Sequence, residues 1–358
     1  MAERRLRVLM AGPDPAGMGG METAAALFLR HADADVRYVS TYRAAGAVGR
    51  LRLWLQAWAQ VAVALVRDRP DVVHVHLSER LSIFRDGGVL ALARLARVPA
   101  VLHCHGAEFE PSFLALPGPL RKAARAVLRS ASAVLVLGER WVERYAELLD
   151  LPRERFTMLY NPVELPADPP ARQSGEGPVR VLFLGRLGPR KGVYDVVKAC
   201  AALPAEVRGR VELRIGGDGD VAALSDLCRA ELGPAASVLG WLDPAAKAAE
   251  LAAADVFVLP SHDDGLPMAL LEAMAWGLVP VVSTAGAMGE VVRDGTNGLI
   301  VRAGDPADVE AALRRVVADD ALRAELSRAA RADAESFAVG PYMDSVRALW
   351  TQAVGSRR

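Results

Sequence analysis

The chain of 358 residues has room for about two domains of ordinary size, each with its own core, which excludes a peptide hormone, a knottin and a disordered tail. Hydrophobic residues make up 52% and charged residues 24%, with 43 basic against 43 acidic, so a globally basic nucleic-acid binder is excluded as well. Cys104, Cys200 and Cys228 lie far apart with no CxxC pair, which points away from a disulfide framework and towards a reducing, cytoplasmic compartment.

The N-terminal run from Leu6 to Ala11 contains Arg7 and is stopped by Gly12-Pro13, so it reads as a first β-strand rather than a secretory leader. Short β-branched runs follow at βαβ spacing: VRYVS, DVVHVHL, PAVLHCH, AVLVLG and FTMLY. Between the second and third of the first half's six runs, Leu51 to Val66 reads as a helix carrying Arg52, Trp54 and Trp58, too interrupted to span a membrane. Pro119 to Ser130 reads as another helix, with Arg121, Arg125 and Arg129 at i, i+4 and i+8 and Lys122 beside them. That stripe suits an anionic membrane surface or a phosphorylated acceptor, or is a plain solvated face.

The segment 165–178, rich in proline and glycine, interrupts the rhythm as a linker does. A second series then begins: VRVLFLG, VELRIGG, ASVLGW, DVFVLP, LVPVVS and GLIV. The expected architecture is α/β, with two Rossmann-like domains at 1–164 and 179–336 and a terminal helical segment at 337–358. Charge is divided between the halves, with 22 basic and 17 acidic residues before Leu165 and 21 and 26 from there on, net +5 and −5.

Ligands of such sheets gather at the carboxyl ends of the strands, and the polar residues cluster there. Gly17, Gly19 and Gly20 follow the first strand and open a helix, offering backbone amides without matching a Walker or dinucleotide pattern. The pairs His74/His76 and His103/His105 each share a strand face; His105, before Gly106 at the strand exit, is the functional candidate, and the other three read as packing. Gly185-Arg186 and Lys191-Gly192 place two cations after a strand, and lysine there is notable in a chain with only four lysines. GDGDVA at Gly217 is a lone, weak dinucleotide-type match, and its Asp218 and Asp220 read as loop residues rather than Mg²⁺ ligands. Asp264 ends one strand and Glu272 lies about two turns into the following helix, an arrangement suited to sugar hydroxyls around a helix N-terminus that holds phosphate.

Taken in order, GGMETAA at Gly19, LHCHGAEF at Leu102, YNPVE at Tyr160, FLGRLGPRKG at Phe183, GGDGD at Gly216, LGWL at Leu239, PSHDDGLPMALLEAMAWGLVPVVS at Pro260 and GEVVRDGTNGLIV at Gly289 resemble the retaining family 4 glycosyltransferases of the GT-B fold. The resemblance implies two Rossmann-like domains facing across a central cleft, with the C-terminal helix crossing back to the N-terminal domain. It implies a UDP- or GDP-sugar donor and a glycan, lipid-linked or small-molecule acceptor, without nucleic acid and without a metal cofactor. The protein would then act in the cytoplasm, with peripheral contact at the inner face of the plasma membrane.

By the same resemblance Arg186 and Lys191 bind the donor diphosphate, helped by the amides of Gly19 and Gly20, and His105 lies near the donor sugar. Asp264 takes sugar hydroxyls, Glu272 holds the ribose, and Gly217, Trp241, Leu242 and the segment Gly265, Leu266, Pro267 and Met268 complete the donor site. The family usually carries glutamate where this chain has Asp264, one methylene shorter, and His262 and Asp263 adjoin it as candidates to compensate. Transfer with retention proceeds by same-face attack with a donor phosphate oxygen as base, and a covalent route through Asp264 stays open. A non-catalytic sugar-nucleotide binder and a Rossmann oxidoreductase or epimerase are the alternatives; the missing first-strand fingerprint counts against NAD.

Overall fold

The computed structural model describes residues 5–43, 46–106, 108–168 and 177–355. All twelve apolar runs form strands, because each couples β-branched residues to a turn or loop break. The first six are β1 (Arg7–Pro13), β2 (Asp35–Tyr42), β3 (Val72–Leu77), β4 (Ala100–Cys104), β5 (Ala133–Val136) and β6 (Phe156–Met158). The second six are β7 (Val179–Leu184), β8 (Val211–Gly216), β9 (Ala236–Gly240), β10 (Val256–Leu259), β11 (Val279–Val282) and β12 (Leu299–Ile300).

Two compact units result, divided at Pro162/Val163 and again at Ala338/Val339. Most of the segment expected as linker, residues 169–176, lies outside the described residues. In the first unit the order is β2-β1-β3-β4-β5-β6, and in the second β12-β11-β10-β7-β8-β9, with every strand pair parallel. The chain reverses direction across the sheet between β1 and β3 in one and between β7 and β10 in the other. Beside such a reversal the connections leave on opposite faces and open a crevice at the carboxyl ends.

The helices used below are α1 (Gly20–His31), α2 (Ala47–Arg67), α3 (Ser82–Leu95), α4 (Gly118–Leu128), α5 (Glu139–Leu149), α6 (Val193–Ala202), α7 (Pro244–Ala253), α8 (Met268–Ala275) and α9 (Val339–Gly355). In the first unit one sheet face packs α2, α3, α4 and α5 around Val73, Val75, Leu102 and Phe113. The other face takes α1 and α9. Tyr342, Met343, Val346, Leu349, Trp350 and Ala353 recur at helical spacing and are buried against Val8, Met10, Val72 and Val101. Each large side chain so buried contributes about 1.5–3 kcal/mol. No described helix is long and apolar enough to cross a membrane.

Candidate functional site

In the second unit the switch point gathers the polar candidates. β7 runs out through Gly185 to Arg186, and the chain turns through Pro189–Lys191 into α6. Gly192 makes that turn at φ +72°, with its α-carbon against the Pro260 carbonyl, so a side chain there would collide with the strand end opposite. From β10 the chain continues through Ser261 to Asp264 before α8 starts at Met268. Buried Ser261 donates to the carbonyl of Asp263, at 3.0 Å, and Ser283 after β11 donates to the carbonyl of Ser261, at 2.5 Å. Gly286, at φ +57°, presses on the carbonyls of Asp264 and Gly265, and the Ala287 amide donates to the Gly265 carbonyl at 2.8 Å. The loop bearing Asp264 is therefore held from below by two hydroxyls and from the side by a glycine.

These loops bring Lys191 and Asp264 into a direct ion pair, with side chains only 14% and 12% exposed. An ammonium has three N–H donors, so Lys191 retains two after meeting Asp264. Arg186 is exposed and has no ion-pair or hydrogen-bond partner among the described residues, leaving its guanidinium as the uncompensated cation of the loop. α8 has no side-chain cap, so its first N–H groups point out of the helix end beside Asp264.

Glu272 sits little more than one turn into α8, not two, because the helix starts directly after Pro267. Its Oε1 accepts a 2.6 Å hydrogen bond from Lys247 Nζ on α7, leaving Oε2 as a second acceptor. Burial raises the Glu272 carboxyl above its ordinary pKa, and Lys247 pulls it back down. The sequence offered no signal for Lys247, 25 positions away on a different helix.

Gly217 and Gly219 are held at φ +149° and +121° where a β-carbon would strike the carbonyls of Gly185 and Leu187, so GDGD braces the Arg186 loop. Leu187 and Asp218 share a backbone hydrogen bond at 2.6 Å in the same contact. Trp241, 49% exposed, follows Gly240 at the end of β9, and Leu242 packs over Gly216. His262 faces Asp195 at 3.7 Å and Asp263 faces Arg190 at 3.6 Å. Each of the two neighbours of Asp264 on this loop thus faces a partner across the site.

In the first unit, Gly19 turns at φ +150° and Gly20 opens α1 at the carboxyl edge of the sheet. His105 leaves β4 half-buried, and its Nε2 lies 2.9 Å from Nδ1 of His76. That contact anchors the ring back onto β3. His74, His76 and His103 are buried, with one ring nitrogen of each within 4.8 Å of the others, a spacing that invites a metal. The donor set argues otherwise. Trp350 Nε1, a donor only, lies 3.0 Å from His74 Nδ1 and occupies its lone pair, so a neutral His74 carries its proton on Nε2, the atom a metal would need.

The arginines of the stripe have local partners. Arg121 donates to the Leu114 carbonyl, Arg125 to the Leu148 carbonyl at the end of α5, and Arg129 pairs with Asp150. These cations tie neighbouring helix ends together, and Lys122 alone of the four is left exposed without a partner among the described residues. Trp58 is turned inward, its indole donating to the Arg85 carbonyl at 2.8 Å. The apolar surface of α2 is a different stripe: Val48, Leu51, Leu55, Ala59 and Val66.

Two parallel Rossmann-type sheets of this order define the GT-B glycosyltransferase fold, which the chain shares with Alr3699/HepE of Anabaena solved with UDP-glucose. That structure superposes with a TM-score of 0.73 over 97% of this chain and 100% of the other, at 18% identity. Residues 166–333 match the glycosyl transferases group 1 family and residues 1–162 the glycosyl transferase 4-like domain, and the chain belongs to this family. It is 30% identical to the phosphatidyl-myo-inositol mannosyltransferase of Mycolicibacterium smegmatis, over 78% of this chain and 70% of that one. It is 32% identical to the glycogen synthase of Mycobacterium tuberculosis, over 74% of this chain. That match spans 64% of the synthase's own length.

Proposed function

We propose that the protein is a retaining glycosyltransferase that moves a hexosyl or N-acetylhexosaminyl group from a UDP- or GDP-sugar to an acceptor hydroxyl. The observation that carries this reading is the placement of Arg186, Lys191 and Asp264 on the carboxyl ends of β7 and β10, the two strands flanking the switch point, with Glu272 one turn into α8. Arg186 and the two spare N–H groups of Lys191 meet the diphosphate and offset the charge that grows on it as the sugar departs. Asp264 orients that ammonium and takes sugar hydroxyls. The Oε2 of Glu272 accepts from the ribose, Trp241 and Leu242 flank the base, and the segment Gly265, Leu266, Pro267 and Met268 meets sugar and phosphate, with donors on its residues other than the proline. Gly217 shapes the loop. This set supplies fixed charge without calling on a metal.

The acceptor is proposed to be a lipid-linked glycan, met at the cytoplasmic face of a membrane. Its support is α2, which has no acidic residue and exposes Val48 at 84%, Leu51 at 56%, Leu55 at 57% and Val66 at 75% beside Arg50, Arg52 and Arg67. Such a face is suited to lying in an anionic lipid interface. The test is a panel of UDP-, GDP-, dTDP- and ADP-sugars with polyprenyl-linked glycan, free sugar and cyclitol acceptors, followed by nucleoside diphosphate release and product mass. Acceptor-dependent release with one nucleotide class supports the reading. NAD reduction or donor epimerisation without an acceptor would replace it.

A further inference from the structure

At the switch point of the second unit, the peptide groups that lead into Lys191 and Asp264 are both held by one residue, Ser261. A peptide unit is planar, so the carbonyl of one residue and the N–H of the next turn together. The N–H of the Ser261–His262 peptide donates at 2.9 Å to the carbonyl of Arg190, which belongs to the peptide leading into Lys191. On the other side of that second peptide, the Lys191 N–H donates to the Gly188 carbonyl at 3.2 Å. The Ser261 hydroxyl has a single proton, and of its two acceptors the Asp263 carbonyl at 3.0 Å is nearer than the Arg190 carbonyl at 3.3 Å. The Asp263 carbonyl belongs to the peptide leading into Asp264. Both partners of the ion pair therefore take their backbone orientation from Ser261.

Ser261 is in turn fixed from a third strand. Its carbonyl, on the same peptide as the His262 N–H, accepts from the Ser283 hydroxyl at 2.5 Å and from no other donor among the described residues. Ser283 directly follows β11 and is buried, as Ser261 is. The Ala285 amide donates to the Ser283 oxygen at 3.4 Å, which occupies a lone pair and leaves the hydroxyl proton for Ser261. The connection then runs without a gap from the Ser283 hydroxyl through peptide 261–262 to the Arg190 carbonyl and peptide 190–191, and hydrogen bonds in such a chain polarise one another. Without the hydroxyl a buried carbonyl is left unmet, and its peptide regains a donor only by turning, which withdraws the His262 N–H from Arg190.

We propose that Ser283 is a positioning residue for the Lys191–Asp264 pair, its hydroxyl setting, through peptide 261–262, the orientation of the peptide that leads into Lys191. What the pair does rests on the transferase reading above; how the pair is held does not.

The test uses the lysines themselves. Lys122, Lys191, Lys198 and Lys247 are the only ones in the chain, so lysine-selective ¹⁵N labelling of the full-length protein without nucleotide gives four backbone amide signals, assigned by substitution. In Ser283→Ala the Lys191 amide signal is displaced and exchange of its Nζ protons with water rises about tenfold, the factor expected when a buried carbonyl loses its donor. The signals of Lys198 and Lys247, in the same unit, stay in place. Ser283→Cys, whose thiol is a weak donor, gives a smaller change in the same direction and carries the test if the alanine variant fails to fold. Val281→Ala opens a cavity two residues earlier on the same strand and keeps the hydroxyl, so it preserves the parental signals. Lys191 signals unchanged in the folded Ser283 variants overturn the proposal. Equal displacement by Val281→Ala, or equal displacement of Lys198 and Lys247, also overturns it, because packing alone would then be the cause. No donor sugar enters the experiment, so failure of the positioning is distinct from failure of the transferase reading.

Discussion

Removing the ammonium from Glu272 is the most specific perturbation of the proposed ribose site. Lys247→Met keeps the stem that packs along α7 and deletes a 2.6 Å charge-assisted hydrogen bond between side chains 28% and 15% exposed. A bond to a charged group is worth about 1.5–3 kcal/mol, and each 1.4 kcal/mol is about a factor of ten in an equilibrium. Burial already raises the Glu272 pKa, and Lys247 is the main influence lowering it. Without Lys247 the carboxyl is raised further, so it is ionised only at higher pH and becomes protonated as pH falls. A protonated carboxyl loses acceptor capacity for the ribose. Isothermal titration of UDP and GDP from pH 8.5 to 6 should therefore show variant and parent within about threefold at the alkaline end, with the variant about tenfold weaker at the acid end. Affinity curves that run parallel across the whole range would refute the coupling of Lys247 to the ribose carboxylate.

Lys191→Ala is expected to lower kcat by about 10²-fold or more with the fold intact, as loss of a preorganised donor to a growing negative charge does; steady-state kinetics and circular dichroism check both halves. Gly286→Ala places a side chain against the carbonyls of Asp264 and Gly265 at a positive φ, so nucleotide binding should fail with a stability loss of about 1–3 kcal/mol by denaturant titration. Asp86→Ala should destabilise by about 3–5 kcal/mol, because it strands the buried Arg85 guanidinium and removes the acceptor of Thr41, whose hydroxyl lies 2.7 Å from the carboxylate. An unfolding midpoint within error of the parent would show that pair to be dispensable.

The strands were legible because buried parallel strands are written as local apolar runs, and the Pro/Gly-rich break before Val179 marked the start of the second series. What decides the site is less local. Asp264 and Lys191 could be read as strand-end residues, yet their pairing depends on β7 and β10 being neighbours, which spacing along the chain does not state. Lys247 and Trp350 were invisible for the same reason, the latter reaching His74 across 276 positions. The partners of the arginine stripe were hidden because helical projection shows a face and not what faces it: the carbonyls of Leu114 and Leu148 and the carboxylate of Asp150 come from other segments. Glu272 was placed a turn too deep because two turns counted back from it reach Gly265, whereas the helix starts only after Pro267.

The central claim is that the strand ends of the second unit bind a nucleotide-sugar diphosphate through fixed side-chain charge. The most direct measurement is the thermal shift of the protein and of its Arg186→Ala and Glu272→Gln variants with UDP, GDP, dTDP and ADP in EDTA, since a ligand of the native state raises Tm with its concentration. A rise with one nucleotide class in the parent, reduced in both variants, is the expected result. No rise with any of the four, or a rise that both variants retain in full, would contradict the account.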